Sequence, residues 1–119
     1  MVGVEVERER EVGRWLVEQF SGFWVSEGLD RKSKSTRGRY SGSLHALGGY
    51  LLKRGVSEDH AEDSAQDLLW DAIDPDEGPM IFDDHEVWQE ELDRTCRRLY
   101  KYLLTKGGKG RSRAIDTVE

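Results

Sequence analysis

Between Glu58 and Asp93 there is no Lys or Arg, and between Arg31 and Ser57 there is no Asp or Glu. One cysteine and two prolines stand in 119 residues, and no apolar run approaches the ~18 residues of a membrane span. Lone Cys96 excludes an intrachain disulfide and any cysteine-based zinc site. HExxH, EF-hand, phosphate-loop and dinucleotide fingerprints are missing. So are strand alternation, internal repeats and low-complexity tracts. Met1–Glu11 is acidic and alternating, the pattern of neither a signal nor a transit peptide, so a cytoplasmic protein is expected.

What is present is charge sorted into blocks of one sign. Residues 31–57 hold seven bases, 58–93 hold fifteen acids, and 94–113 hold eight bases without an acid. The net charge of −6 therefore hides two basic surfaces and one strongly acidic one.

Apolar residues step by three and four in four segments, which predicts an all-α, four-helix bundle-like domain. Residues 1–106 are expected to form this domain and 107–119 a disordered basic tail. Val12, Trp15, Leu16, Phe20, Phe23 and Trp24 face one side of a first helix, which Gly28 stops. Ser35 is the expected cap of a second, with Tyr40, Leu44, Leu47 and Leu51 as its core stripe and Gly55 as its end. Its four interior glycines, Gly38, Gly42, Gly48 and Gly49, predict either local weakness, with a break at Gly48-Gly49, or close backbone packing. Ser57 is the expected cap of a third helix, with Ala61, Ala65, Leu68, Leu69, Ala72 and Ile73 buried and Pro75 as its stop. Asp83 or Asp84 is the expected cap of a fourth, where Asp83-x-x-Glu86 reads as a capping box, and Trp88, Leu92, Cys96, Leu99 and Leu103 form its core stripe. Gly107-Gly108 ends it.

Candidate contacts follow from the charge blocks. Arg31, Lys32, Lys34, Arg37 and Arg39 cluster among small residues at a helix start, a combination suited to phosphate: cations, close approach and free backbone N–H groups. Arg39, Ser43, Ala46, Tyr50 and Lys53 share a small, polar, basic stripe of that helix. Lys53 and the C-terminal segment 106–113, with Lys109, Arg111 and Arg113, are supporting contacts. The alternative is that these bases pair with the acids of the third helix.

His60, Asp63 and Asp67 would share a helical face, but that spacing is generic in so acidic a stretch, and no metal or cofactor is expected. His45 is expected to be a hydrogen-bonded structural histidine and His85 an ordinary polar residue near a helix start. Cys96 is expected to be a buried, inert thiol. No catalytic constellation is legible, so the chain is expected not to be an enzyme.

The outline carried by Phe20, Trp24, Gly28-Leu29, Ser35-Thr36, Tyr40, Leu44, Leu47, Tyr50-Leu51 and Gly55 resembles the N-terminal core-binding, SAM-like domain of tyrosine recombinases (phage integrases). The resemblance spans residues 17–56 and implies a helical module that clamps the DNA backbone. No stretch resembles the recombinase catalytic domain, so recombination is not implied. Gly78-Pro79 with Leu92–Lys101 is similar to small uncharacterised bacterial proteins. Two functions are therefore expected in turn: sequence-tolerant nucleic-acid binding through 31–39 and 106–113, or a protein-interaction module whose acidic surface 58–93 engages a basic partner.

Overall fold

The apolar steps of three and four do become helices. A computed structural model describes residues 2–73 and 77–106, with side chains from residue 6 onward. Four α-helices run in order: α1 (Val2–Ser26), α2 (Lys34–Gly55), α3 (Ala65–Ala72) and α4 (Glu86–Thr105). One-turn 3-10 helices at Leu29–Arg31 and Glu58–His60 lie in the connections, and no strand occurs among the described residues. The domain is all-α. None of its described helices is long and apolar enough to cross a membrane.

The central element is α2, which packs against the other three helices. It runs antiparallel to α1, because Gly13 lies against Leu52 and Phe20 against Gly48. In turn α1 runs antiparallel to α4: Glu27 meets Arg98, Gly22 meets Tyr102 and Gln19 meets Lys106. Leu16, Phe23, Leu47, Leu51, Leu69, Leu92 and Leu99 are buried where these faces converge. Phe23 links α2 and α4 through Tyr40 at 6.2 Å and Tyr102 at 5.8 Å between ring centroids.

α2 is continuous through Gly48-Gly49. Four interior glycines cost about 4 kcal/mol against alanine. Buried Leu44, Leu47 and Leu51 return about 1.5–3 kcal/mol each, so packing outweighs propensity. Nor do the glycines press on another backbone. A Cβ at Gly38, Gly42 or Gly49 would meet nothing within 4 Å, and one at Gly48 would meet only the Phe20 ring.

Three expected helix starts move, each for a local reason. Ser33, not Ser35, caps α2 by accepting from the Thr36 N–H at 3.2 Å. The 3-10 turn ends at Arg31, and Lys32 and Ser33 are extended, which puts Ser33 in cap geometry. The third helix is only eight residues long and is capped by Ser64. Arg8 of α1 donates to the carbonyls of Gly55, His60 and Asp63, so the segment before Ser64 stays in turns held from outside. The fourth helix is capped by His85, whose Nδ1 accepts from Trp88 N–H at 3.4 Å, so neither Asp83 nor Asp84 caps it. Here Gln89 Oε1 accepts from both Ile81 N–H (3.1 Å) and Phe82 N–H (2.9 Å), holding the chain open until the turn at 83–84.

Gly28 does stop α1, with a left-handed φ of 62° that glycine adopts without steric cost. Cys96 is buried, and burial followed by the nearby Asp93 charge pushes its pKa up to about 12. Pro75 and the tail from Gly107 lie outside the described residues.

Candidate nucleic-acid interface

The basic cluster sits on a corner built by a tightly held turn. After Gly28 reverses the chain, Leu29 plugs the core at 1% exposure. Asp30 Oδ1 accepts from Trp24 Nε1 at 2.8 Å, which ties the 3-10 turn back to α1. Ser33 then opens α2. The five cations occupy this turn and the first turns of α2.

Arg31, Lys32 and Lys34 are exposed and have no acidic partner among the described residues. Arg37 Nη1 donates to the Lys32 carbonyl at 3.1 Å, folding its arm across the cap. Arg39 donates to Ser35 Oγ at 3.3 Å and stands 3.8 Å from the Glu91 carboxylate of α4. With the Thr36 N–H committed to Ser33, the N–H groups of Lys34 and Ser35 remain at an open helix N-terminus, the end favoured by anions. The acid that Arg39 approaches, Glu91, belongs to α4 and not to α3.

α4 brings a sixth cation to this corner. Arg98 donates through Nε and Nη2 to Glu27 Oε1, both at 2.8 Å, just before Gly28. The hydrogen bond to Glu27 raises its pKa further above the arginine value. Its place here depends on the antiparallel α1–α4 packing, which the basic run 94–113 signals only as charge.

Other candidates do not join the cluster. Lys53 is exposed near the far end of α2, about 21 Å along the helix from Arg39. The stripe from Arg39 to Lys53 is not an open face: Ser43 is 5% exposed, and Ala46 and Tyr50 are half-buried. The solvent face of α2 instead carries Gly38, Ser41, Gly42, His45 and Gly49. Lys106 Nζ donates to Gln19 Oε1 at 3.0 Å, along the middle of α1. Lys109, Arg111 and Arg113 lie outside the described residues.

The histidines also depart from expectation. His45 is exposed and makes no hydrogen bond among the described residues. His60 lies in a 3-10 turn, with Nδ1 2.8 Å from Asp63 Oδ2, whereas Asp67 begins α3 after the Ser64 cap. The three therefore share no helical face. Among the described residues no group of three His, Cys, Asp or Glu side chains is arranged to hold a metal ion. No protein-family model, curated protein or solved structure matches the chain.

Proposed function

We propose that the chain binds nucleic acid through the corner formed by Arg31, Lys32, Lys34, Arg37 and Arg39, holding the phosphate backbone without catalysing a reaction on it. One observation supports this reading: Arg31, Lys32 and Lys34 are exposed on a braced turn and form no ion pair among the described residues, beside the open N-terminus of α2. Cations with small neighbours suit phosphates, not base edges, so binding is tolerant of sequence. The resemblance of residues 17–56 to DNA-clamping core-binding domains supports the same surface. The C-terminal bases of 106–113 are a second, trailing contact.

Fluorescence anisotropy with labelled duplex and single-stranded DNA tests this reading across ~20 to ~200 mM salt. Affinity falls steeply with salt, with a logarithmic slope near −0.9 for each duplex phosphate neutralised. Replacing the five cations with Gln flattens the slope and weakens all sequences alike. Absence of binding to DNA or RNA at ~20 mM salt, where screening is least, refutes the function.

A further inference from the structure

A narrow slot of about 290 Å³ lies between α2 and the start of α4. Its α2 wall is bare backbone at Gly38 and Gly42, where an added Cβ would meet nothing within 4 Å. The opposite wall is aromatic. Phe82 and Trp88 stand edge to face at 5.6 Å, and Trp88 is 52% exposed. Between the walls lies Ser43, 5% exposed, whose hydroxyl has no hydrogen-bond partner among the described residues. Glu91 also lines the slot, with Arg39 3.8 Å from its carboxylate.

The aromatic wall is fixed before anything arrives. Gln89 holds the Phe82 N–H at 2.9 Å, and the His85 ring stacks on Trp88 at 3.8 Å and 10°. Arg39 stands on the α2 side of the slot, and the chain leading into α4 is acidic. Asp83, Asp84, Glu86, Glu90 and Glu91 fall within nine residues. Such a surface repels phosphate and attracts a cation.

We propose that this slot receives an arginine side chain from a cationic segment of a partner protein. A guanidinium matches every wall. Its flat face suits the Trp88 ring, its fork suits the Glu91 carboxylate, and a remaining N–H suits the idle Ser43 hydroxyl. Arg39 already brings a guanidinium toward Glu91 from one side, but too loosely to occupy the place. Flanking bases of the segment lie over Asp83, Asp84, Glu86 and Glu90. The proposal narrows the acidic-surface expectation to one pocket, which shares Arg39 with the basic corner but takes a cationic rather than a phosphate ligand.

Calorimetric titration of the full chain with a synthetic dodecapeptide of alternating arginine and alanine tests it, with the lysine analogue and a ten-residue oligothymidylate as comparisons. The arginine peptide binds the wild type, and the lysine analogue binds about tenfold more weakly. Gly42→Leu fills the slot while replacing glycine with a better helix former, and weakens the arginine peptide at least about tenfold. Glu91→Gln, a substitution at a solvent-accessible carboxylate, weakens it similarly and carries the test should Gly42→Leu not fold. No binding by the arginine peptide at ~20 mM salt overturns the proposal. So does unchanged affinity in both variants, equal affinity for the lysine analogue, or oligothymidylate binding that Gly42→Leu abolishes.

Discussion

The basic corner and the acidic junction are both loop-to-helix transitions, and they use their polar groups in opposite ways. At the junction of residues 78–93, side chains are spent on the fold. Gln89 donates to the Pro79 carbonyl and Asp93 Oδ1, both at 2.9 Å, while its Oε1 takes two backbone N–H groups. Asp93 Oδ1 also accepts from Gly78 N–H at 2.9 Å. At the basic corner, Trp24, Asp30 and Ser33 do the bracing, and among the described residues the Arg31, Lys32 and Lys34 side chains form no hydrogen bond or ion pair. A polar group whose bonds are used internally maintains shape; one left idle on a rigid support is available to a partner.

That contrast breaks most sharply at Gln89. Gln89→Leu strands two amide N–H groups and a carbonyl, and is expected to cost about 3 kcal/mol or more in urea denaturation. Arg37→Ala at the basic corner is expected to change stability by less than about 1 kcal/mol in the same assay.

Steric room gives the next comparison. A Cβ on Gly78 would stand 2.6 Å from Cys96 Sγ and 3.3 Å from its Cβ, so Gly78→Ala should destabilise by about 1–3 kcal/mol. Gly42→Ala, with nothing within 4 Å, should stabilise by up to about 1 kcal/mol. Thermal unfolding of the two variants should shift in opposite directions.

Alkali probes the buried side of the junction. Below pH about 9 the Cys96 thiol is protonated whether folded or not, so it adds no pH dependence. Above that, the unfolded chain releases the proton while the folded chain holds it until about 12. Its contribution to stability should therefore fall by about 1.4 kcal/mol per pH unit across this window. Cys96→Ala should remove that part of the slope in unfolding titrations, and the native thiol should resist alkylation at pH 8.

The smallest expected effect falls at the basic corner. Gln at Arg31, Lys32, Lys34, Arg37 and Arg39 should each shift stability by at most about 0.5 kcal/mol, with circular dichroism unchanged. The same chain should lose its affinity for nucleic acid.

The helices were legible because burial writes a period into sequence: Leu44, Leu47 and Leu51, or Leu92, Cys96, Leu99 and Leu103, line one face each. Trp88 fits that period yet is half exposed, because it lies where α4 emerges beside the α2 glycines. Helix starts were less legible, because their causes lie elsewhere in the chain. Nothing near Ser57 announces that Arg8 will hold the carbonyls after it. Gln89 keeps step with Leu92, Cys96 and Leu99, but its polarity in the run Gln89-Glu90-Glu91 conceals that it is buried at 8% exposure. For the candidate site, charge spacing found Arg31–Arg39 but not Arg98 or the Ser33 cap, which depend on tertiary packing and a local turn.

The Arg8 clamp carries a consequence for folding order. Its acceptors lie 47 to 55 residues along the chain, so the contact closes a long loop and forms only after α1 has docked. The 3-10 turn at Glu58–His60 and the entry to α3 therefore share the fate of the beginning of α1. Shortening the chain by its first ten residues should speed amide exchange at positions 58–67 while leaving α4 protected, so that a terminal deletion is felt as a softening fifty residues away.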